Sequence, residues 1–350
     1  MGTQTYATST PRIGKLKGDI LRHAVPKEVL ARAGGTASNK DIPRNMSDTV
    51  VFRRWLPFGG VDNRWITGSN VATFAADHQT AEGVTPTADT IAPTDVNATL
   101  VQYAVLYAIT DKTFDLYEDD VPEEMKKQTG ERVAVLREMI RYGALKAATN
   151  AYYAGGTTIG TVDETLSLNL LRKVSRGLLN NHADQVNEFL APSPNYNTTA
   201  VEPGYLVFCH TDMEPAIRNL PNFKHVSDYG TRKLVSEDEI GSVERWRFIL
   251  SPELAPYIDS GAAVGATGLL STTGANIDVY PVIVVGMDAW GQVALRGTRS
   301  LDVTWLPPNT KDKSDPLGQR GYVGAKFYDV ALVLNQGWMA VVNAGTPDLL

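Results

Sequence analysis

Few residues in this 350-residue chain carry the chemistry that an active site needs, and their spacing keeps them apart. The five histidines, His23, His78, His182, His210 and His225, are scattered. None stands four positions from another with a Glu between, and no Cys/His set has metal-ligand spacing. Cys209, the single cysteine, is followed by His210 and Asp212, the residue types of a thiolate nucleophile with its base and orienting carboxylate. Adjacent residues on a strand point to opposite faces, however, which separates the thiol from the imidazole. Cys209 is therefore expected as a small core residue within the apolar run 205–209.

The acidic cluster Glu118, Asp119, Asp120, Glu123 and Glu124 has the composition of a metal or acid–base site. It stands just ahead of a helical period, so its expected task is to complement the helix macrodipole. Residues 155–160 (GGTTIG) are Gly-rich but lack the Lys and the preceding strand of a phosphate loop, and read as a linker. No GxSxG elbow and no GxGxxG is present. The chain is expected to be no enzyme, with no catalytic, cofactor-binding or metal-binding residue and no cofactor.

The elements must then serve something other than catalysis. Hydrophobic residues at 43% and charged residues at 21% are those of an ordinary folded protein. No apolar run approaches the ~18–20 residues that span a bilayer, and no signal peptide is evident, so folding in a cytoplasm is expected. The net charge of −6 hides an asymmetry. Residues 1–54 hold ten Lys or Arg against four Asp or Glu, a net of +6; the rest hold 23 against 35, a net of −12. The first part reads as a basic arm, either simply solvated or lying on acidic surface of its own chain or a neighbour's. The acidic body and the lack of a basic-aromatic stripe argue against nucleic-acid binding by the arm.

Residues 1–47 read as extended, with a short helix near 26–32. Strands are expected at 49–58 and 99–109, joined by some forty Gly-, Thr-, Ala- and Asp-rich residues. So long a connection suits a hairpin that leaves the domain. A lone two-stranded ribbon is marginal in water, which suggests that it rests on another subunit. A long helix is expected over 122–153, stopped by Gly155-Gly156, and an amphipathic helix through Leu166, Leu170, Val174 and Leu178. A loop at 191–203 precedes strand 205–209, and a helix follows with Thr211 or Asp212 at its cap. Residues 279–285 read as a central strand, although Pro281 leaves one side unpaired. Strands at 322–333 and 337–342 are expected to close a sheet. Helices and antiparallel strands without βαβ alternation make the class α+β.

Four blocks in order carry a family resemblance: TVVFRRWLPF with AEGVTP, YAVLYAITDKTFDLYED, EIGSVERWRFILSPE and DPLGQRGYVGAKFYDVALVLNQGWM. They span residues 49–339. The chain resembles the major capsid proteins of tailed bacteriophages, of the N-four-like family; FCHTD at 208–212 departs from a His-Pro-Asp often found there. The resemblance implies a Hong Kong 97-type fold. Its parts would be an N-arm (1–47), an extended β-hairpin loop (48–110), a peripheral domain with a spine helix (111–160), a mostly axial domain (161–300) and a return to the peripheral domain (301–350). It further implies hexamers and pentamers closing into an icosahedral virion shell, assembled in the host cytoplasm. Partners would be portal, scaffolding and cement or decoration proteins, around double-stranded DNA bound without sequence preference and with no membrane. An encapsulin-type compartment is the near alternative; a hydrolase or sugar-binding domain is the distant one. Candidate inter-subunit contacts are Arg53, Arg54 and Trp55, the arm residues Arg12, Lys15, Lys17 and Arg22, the acceptors Glu237, Asp238 and Glu239, and Arg320 at the closing turn. For each, a solvated charge or a core Trp is the competing reading.

Overall fold

The computed structural model describes residues 28–30, 39–43, 47–56, 79–85, 91–117, 120–190, 198–230, 234–265, 267–295, 301–311 and 313–349. Strands β1 (Asn39–Ile42), β2 (Thr49–Trp55), β3 (Pro93–Thr99) and β4 (Val101–Thr110) come first. Helices α1 (Asp111–Leu116) and α2 (Val121–Lys146) follow, then β5 (Ala151–Tyr153), α3 (Leu168–Asn180), β6 (Val186–Leu190) and β7 (Thr198–Cys209). A short helix α4 (Glu214–Arg218) leads to β8 (Lys224–His225), β9 (Glu239–Val243), β10 (Trp246–Leu250) and β11 (Tyr280–Val285). Last come β12 (Trp290–Leu295), β13 (Leu301–Leu306), β14 (Arg320–Val333) and β15 (Met339–Ala344). The α+β reading holds.

Two sheets organise these elements. In the first, β14 is the central strand: β4 lies antiparallel along one edge, and β13 and β12 share the other. β1 adds in parallel beyond β12. The second sheet has the order β5-β15-β11-β7-β10-β9-β8, with β6 also on β7. Its inner strand β11, YPVIVV, is buried throughout. Alternate residues feed two cores. Tyr205, Val207, Phe248, Val282 and Val284 pack with Leu171, Val174 and Leu178 of α3. Leu206, Phe208, Ile249, Ile283 and Val285 face the opposite way.

Helix α2 joins the sheets. Asp120 caps it by accepting the Glu123 N–H at 3.1 Å, with Pro122 in the first turn. Its middle turns lie on the first sheet, where Val133, Leu136 and Ile140 meet Tyr103, Val105 and Phe327. Its last turns supply Tyr142 and Leu145 to the second face of the other sheet. Over 26 residues the helix is about 39 Å long.

Four expectations need correction. The helix stops at Lys146, seven residues before 153, because strand pairing overrides the helix propensity of its Ala-rich end. Asn150 donates its side-chain amide to the Met339 carbonyl at 2.8 Å and its own carbonyl accepts the Val341 N–H at 3.0 Å, which draws Ala151–Tyr153 into a parallel ladder with β15. The partner of β2 is β3, whereas residues 101–110, expected in that hairpin, run along β14. The loop at 191–203 is shorter, since β7 already begins at Thr198. β15 does not close a sheet with β14; it pairs with β11 in the second sheet. Pro281, by contrast, sits as read. β11 pairs along its whole length with β15 but meets β7 only at Ile283, Val284 and Val285.

α3 is amphipathic because Leu168, Leu171, Val174 and Leu178 recur at helical spacing, and Ser167 caps it. Leu171 is wholly buried. Leu171→Ala should lower subunit stability by about 2–5 kcal/mol, read as a shift of the chemical-denaturation midpoint with an unchanged slope.

Candidate assembly surfaces

The residues that suggested chemistry are spent on structure. Cys209 is fully buried, and burial pushes its thiol far above the ordinary range. His210 Nδ1 accepts the Asp212 N–H at 3.1 Å and so caps a 3₁₀ turn at Thr211–Met213. The cap expected at Thr211 or Asp212 is not formed: α4 has Met213 at its N-cap, without a side-chain cap bond, and His210 caps the 3₁₀ turn that precedes it. The Asp212 carboxylate accepts the Tyr280 hydroxyl at 2.8 Å. Among the described residues, no three His, Cys, Asp or Glu side chains converge as a metal set. Of the acidic cluster, Asp120 caps α2 and Glu123 and Glu124 occupy its first turn, as read; Glu118 and Asp119 lie outside the described residues.

What the fold presents instead are surfaces. The ribbon of β2 and β3 is clasped by a bidentate pair, with Arg53 Nε and Nη2 each 2.8 Å from an Asp95 carboxylate oxygen. Its residues alternate. Val50, Phe52, Val96 and Ala98 turn inward onto Ile42, Val293, Val330 and Leu332, on the face of the first sheet opposite α2. Val51, Arg53 and Trp55 turn outward, Trp55 being 56% exposed. The described ribbon therefore rests on its own chain, where the sequence suggested that it rests on another subunit. Its outward face is a Trp and a Val beside a clamped charge pair. A cavity of about 230 Å³ opens at its root among Lys40, Phe52, Arg54, Asp288 and Trp338.

A second surface was not legible from the sequence. On the first sheet, Val105 and Tyr107 face α2, so Leu106 faces away and is 49% exposed. It lies across Gly324, where a Cβ would stand 2.8 Å from its Cδ1, so the glycine makes room for it. Leu306, also half exposed, is paired with Tyr322 on the same face. Only the β-register brings Leu106, Leu306 and Tyr322 together. Exposed apolar residues grouped in this way mark contact surface.

The remaining candidates divide. Glu237 is exposed and Asp238 half-buried. Glu239 is withdrawn: its carboxylate accepts the Tyr229 hydroxyl and the Val235 N–H, both at 2.8 Å, with Arg247 at 3.8 Å. Arg320 is exposed and folds back on its own turn, its Nη2 on the Ser314 carbonyl at 3.1 Å and its N–H on Asp315 at 2.9 Å. Arg54 is half-buried at the ribbon root. Arg12, Lys15, Lys17, Arg22 and most of the expected helix at 26–32 lie outside the described residues.

The comparisons with known proteins point one way. No family model matches the chain. The major capsid protein of Pseudomonas phage KPP21 is 22% identical over 265 residues, covering 70% of this chain and 66% of that protein. The capsid of Ralstonia phage GP4 covers 100% of both chains with a TM-score of 0.63 at 11% identity. This chain has the fold of a phage capsid subunit. The capsid of cyanophage Pam1 aligns at TM-score 0.58 and 12% identity over 99% of this chain and 98% of that one. The head of Helicobacter pylori bacteriophage KHP40 aligns at 0.58 and 11% over 97% and 96%. The resemblance to major capsid proteins of tailed phages read from the sequence holds.

If Cys209 is a core residue rather than a reactive one, a thiol reagent at neutral pH should leave the native protein unlabelled and label one site once it is unfolded. Rapid native labelling, followed by mass spectrometry, would contradict its burial.

Proposed function

We propose that this chain is a major capsid protein of a tailed, double-stranded DNA phage, of the N-four-like kind, and that its task is self-assembly. The observation that carries the reading is the end-to-end match of the fold to the GP4 capsid subunit, over 100% of both chains. A non-catalytic role agrees with a buried Cys209 and with histidines used as caps. The encapsulin alternative is not favoured, because the named relative is a phage capsid protein and the structural neighbours given above are phage capsids or heads.

Copies would associate as hexamers and pentamers and close into an icosahedral shell around DNA, with portal, scaffolding and cement proteins as partners. Modest contacts suffice, since symmetry repeats each one many times. The first sheet with α2 fits the role of a peripheral domain, and the second sheet with α3 that of an axial domain. The ribbon of β2 and β3, with the residues between them, fits the extended loop. On this reading the loop would end near residue 100, where β4 begins to run along β14, and β12, β13 and β14 would return to the peripheral sheet while β15 joins the axial one. Arg53, Trp55 and Glu237 remain candidate contacts, together with the arm residues Arg12, Lys15, Lys17 and Arg22. Leu106 and Leu306 join them.

Two alterations test the assembly role. Deletion of residues 1–27, which keeps the buried residues 28–30 and β1, or Trp55→Ala combined with Val51→Asp, should leave soluble folded subunits that fail to sediment as regular shells. Particles of normal size and yield from either variant would refute the contact it removes.

A further inference from the structure

Residues 28–30 are held against the middle of α2 by a buried charge cluster that has no part in catalysis or in the surfaces described above. Glu138 Oε1 accepts the Val29 N–H at 3.1 Å and the Leu30 N–H at 2.9 Å. Arg141 places Nη1 2.6 Å from Glu28 Oε2 and 3.7 Å from Glu138 Oε2, and Nη2 4.0 Å from Asp329 on β14. Its Nε donates to Gln292 Oε1 on β12 at 2.9 Å. The side chain of Glu138 is 1% exposed, that of Asp329 5% and that of Arg141 7%. Val29 and Leu30 close the site over the second core, and Leu30 is wholly buried.

The charges do not balance. Glu28 from the N-terminal segment, Glu138 from α2 and Asp329 from β14 bring three carboxyl groups. Against them stand Arg141 and, next to Asp329, Arg137, whose guanidinium lies 4.8 Å above the Phe327 ring. Gln292 is neutral. Among the described residues, with every group ionised, the cluster holds one negative charge in excess, largely away from water. Glu138 Oε2 is buried with no hydrogen-bond partner, so an ionised Glu138 has on that oxygen only the Arg141 charge at 3.7 Å. A buried carboxylate denied water and a full set of hydrogen bonds takes up a proton instead.

We propose that this cluster is a proton-binding site: one proton, carried by Glu138 on its buried Oε2, clamps the N-terminal segment onto the helix, and its loss loosens the clamp. Glu138 Oε1 goes on accepting both N–H groups when Oε2 is protonated, so uptake removes charge without breaking the anchor. Burial raises the titration of Glu138, and the two N–H groups and Arg141, which pull it down, do not cancel this; the Glu28 charge raises it further. Asp329 is raised for the same first reason, against Arg141 and Arg137, with Glu28 again adding to the rise. When residues 28–30 lift away, water returns and the Glu138 carboxyl recovers its ordinary range. A group raised in the closed state stabilises that state fully below its ordinary value, and the contribution is lost as pH rises through the raised value. Lowering the pH toward the ordinary carboxyl range therefore tightens the segment, and raising it through the raised value frees it. This stands on the cluster alone and does not depend on the assembly reading.

Amide hydrogen exchange of the peptide containing Val29 and Leu30 in the full chain, corrected for intrinsic exchange, tests it between about pH 5 and about pH 8. Protection should fall with rising pH, by up to about tenfold per unit for one proton. In the Glu138→Gln/Asp329→Asn variant the dependence should vanish. Flat protection in the unaltered chain, or an unchanged slope in the double variant, overturns the proposal. If that variant does not fold, Glu28→Gln serves, because it leaves both buried carboxyls in place while removing the charge that raises them. The fall should then move to lower pH, and an unmoved fall overturns the proposal equally.

Discussion

One helix has to serve two sheets, and most of the architecture follows from that. The middle turns of α2 need an apolar stripe for the first sheet, and its last turns need Tyr142 and Leu145 for the second. Where the two stretches meet stand Glu138 and Arg141, on which the N-terminal segment, β12 and β14 converge. A buried ionic junction of this kind contributes little net stability, since desolvation offsets its Coulomb energy. It instead rewards a single arrangement: removing any one member leaves another buried and uncompensated. The junction thus sets how helix, sheets and N-terminal segment lie together.

Around that fixed body the chain places its exposed features at the periphery. The ribbon hangs on Phe52 and Ala98, which grip the first sheet, and turns Trp55 outward. The same sheet shows Leu106 and Leu306 on the face that α2 leaves open. A subunit that repeats around symmetry axes needs a rigid body with several modest patches rather than one deep pocket. This division between a tightly tied interior and dispersed outward contacts suits a shell. An enzyme requires the opposite, a concave site with convergent reactive groups.

Much of the fold was legible because its signals are local. α3 announced itself through its Leu and Val spacing, α2 through Asp120 and the acidic first turn, and β11 through its run of Val and Ile. Pro281 even marked the side of β11 where pairing runs out. What was not legible depends on partners distant in sequence. The Ala-rich end of α2 favours helix, and only the ladder between Ala151–Tyr153 and β15 ends it early. The residues 99–109 read correctly as strand, but nothing local distinguishes pairing with β2 from pairing with β14. Glu239 looked like a surface acid because its neighbours Glu237 and Asp238 are acidic, whereas Tyr229 and Val235 draw it inside. The Arg141 cluster left a faint trace. Arg141 falls two helical steps beyond Val133 and one before Leu145, on the buried stripe, where a charge calls for buried partners.

Cryo-electron microscopy of particles assembled from the purified chain tests the central claim most directly. The account predicts closed shells of hexamers and pentamers in which the outward face of the β2–β3 ribbon, with Trp55, lies against a neighbouring subunit. A protein that stays monomeric under assembly conditions, or shells in which that face remains bare to solvent, would contradict it.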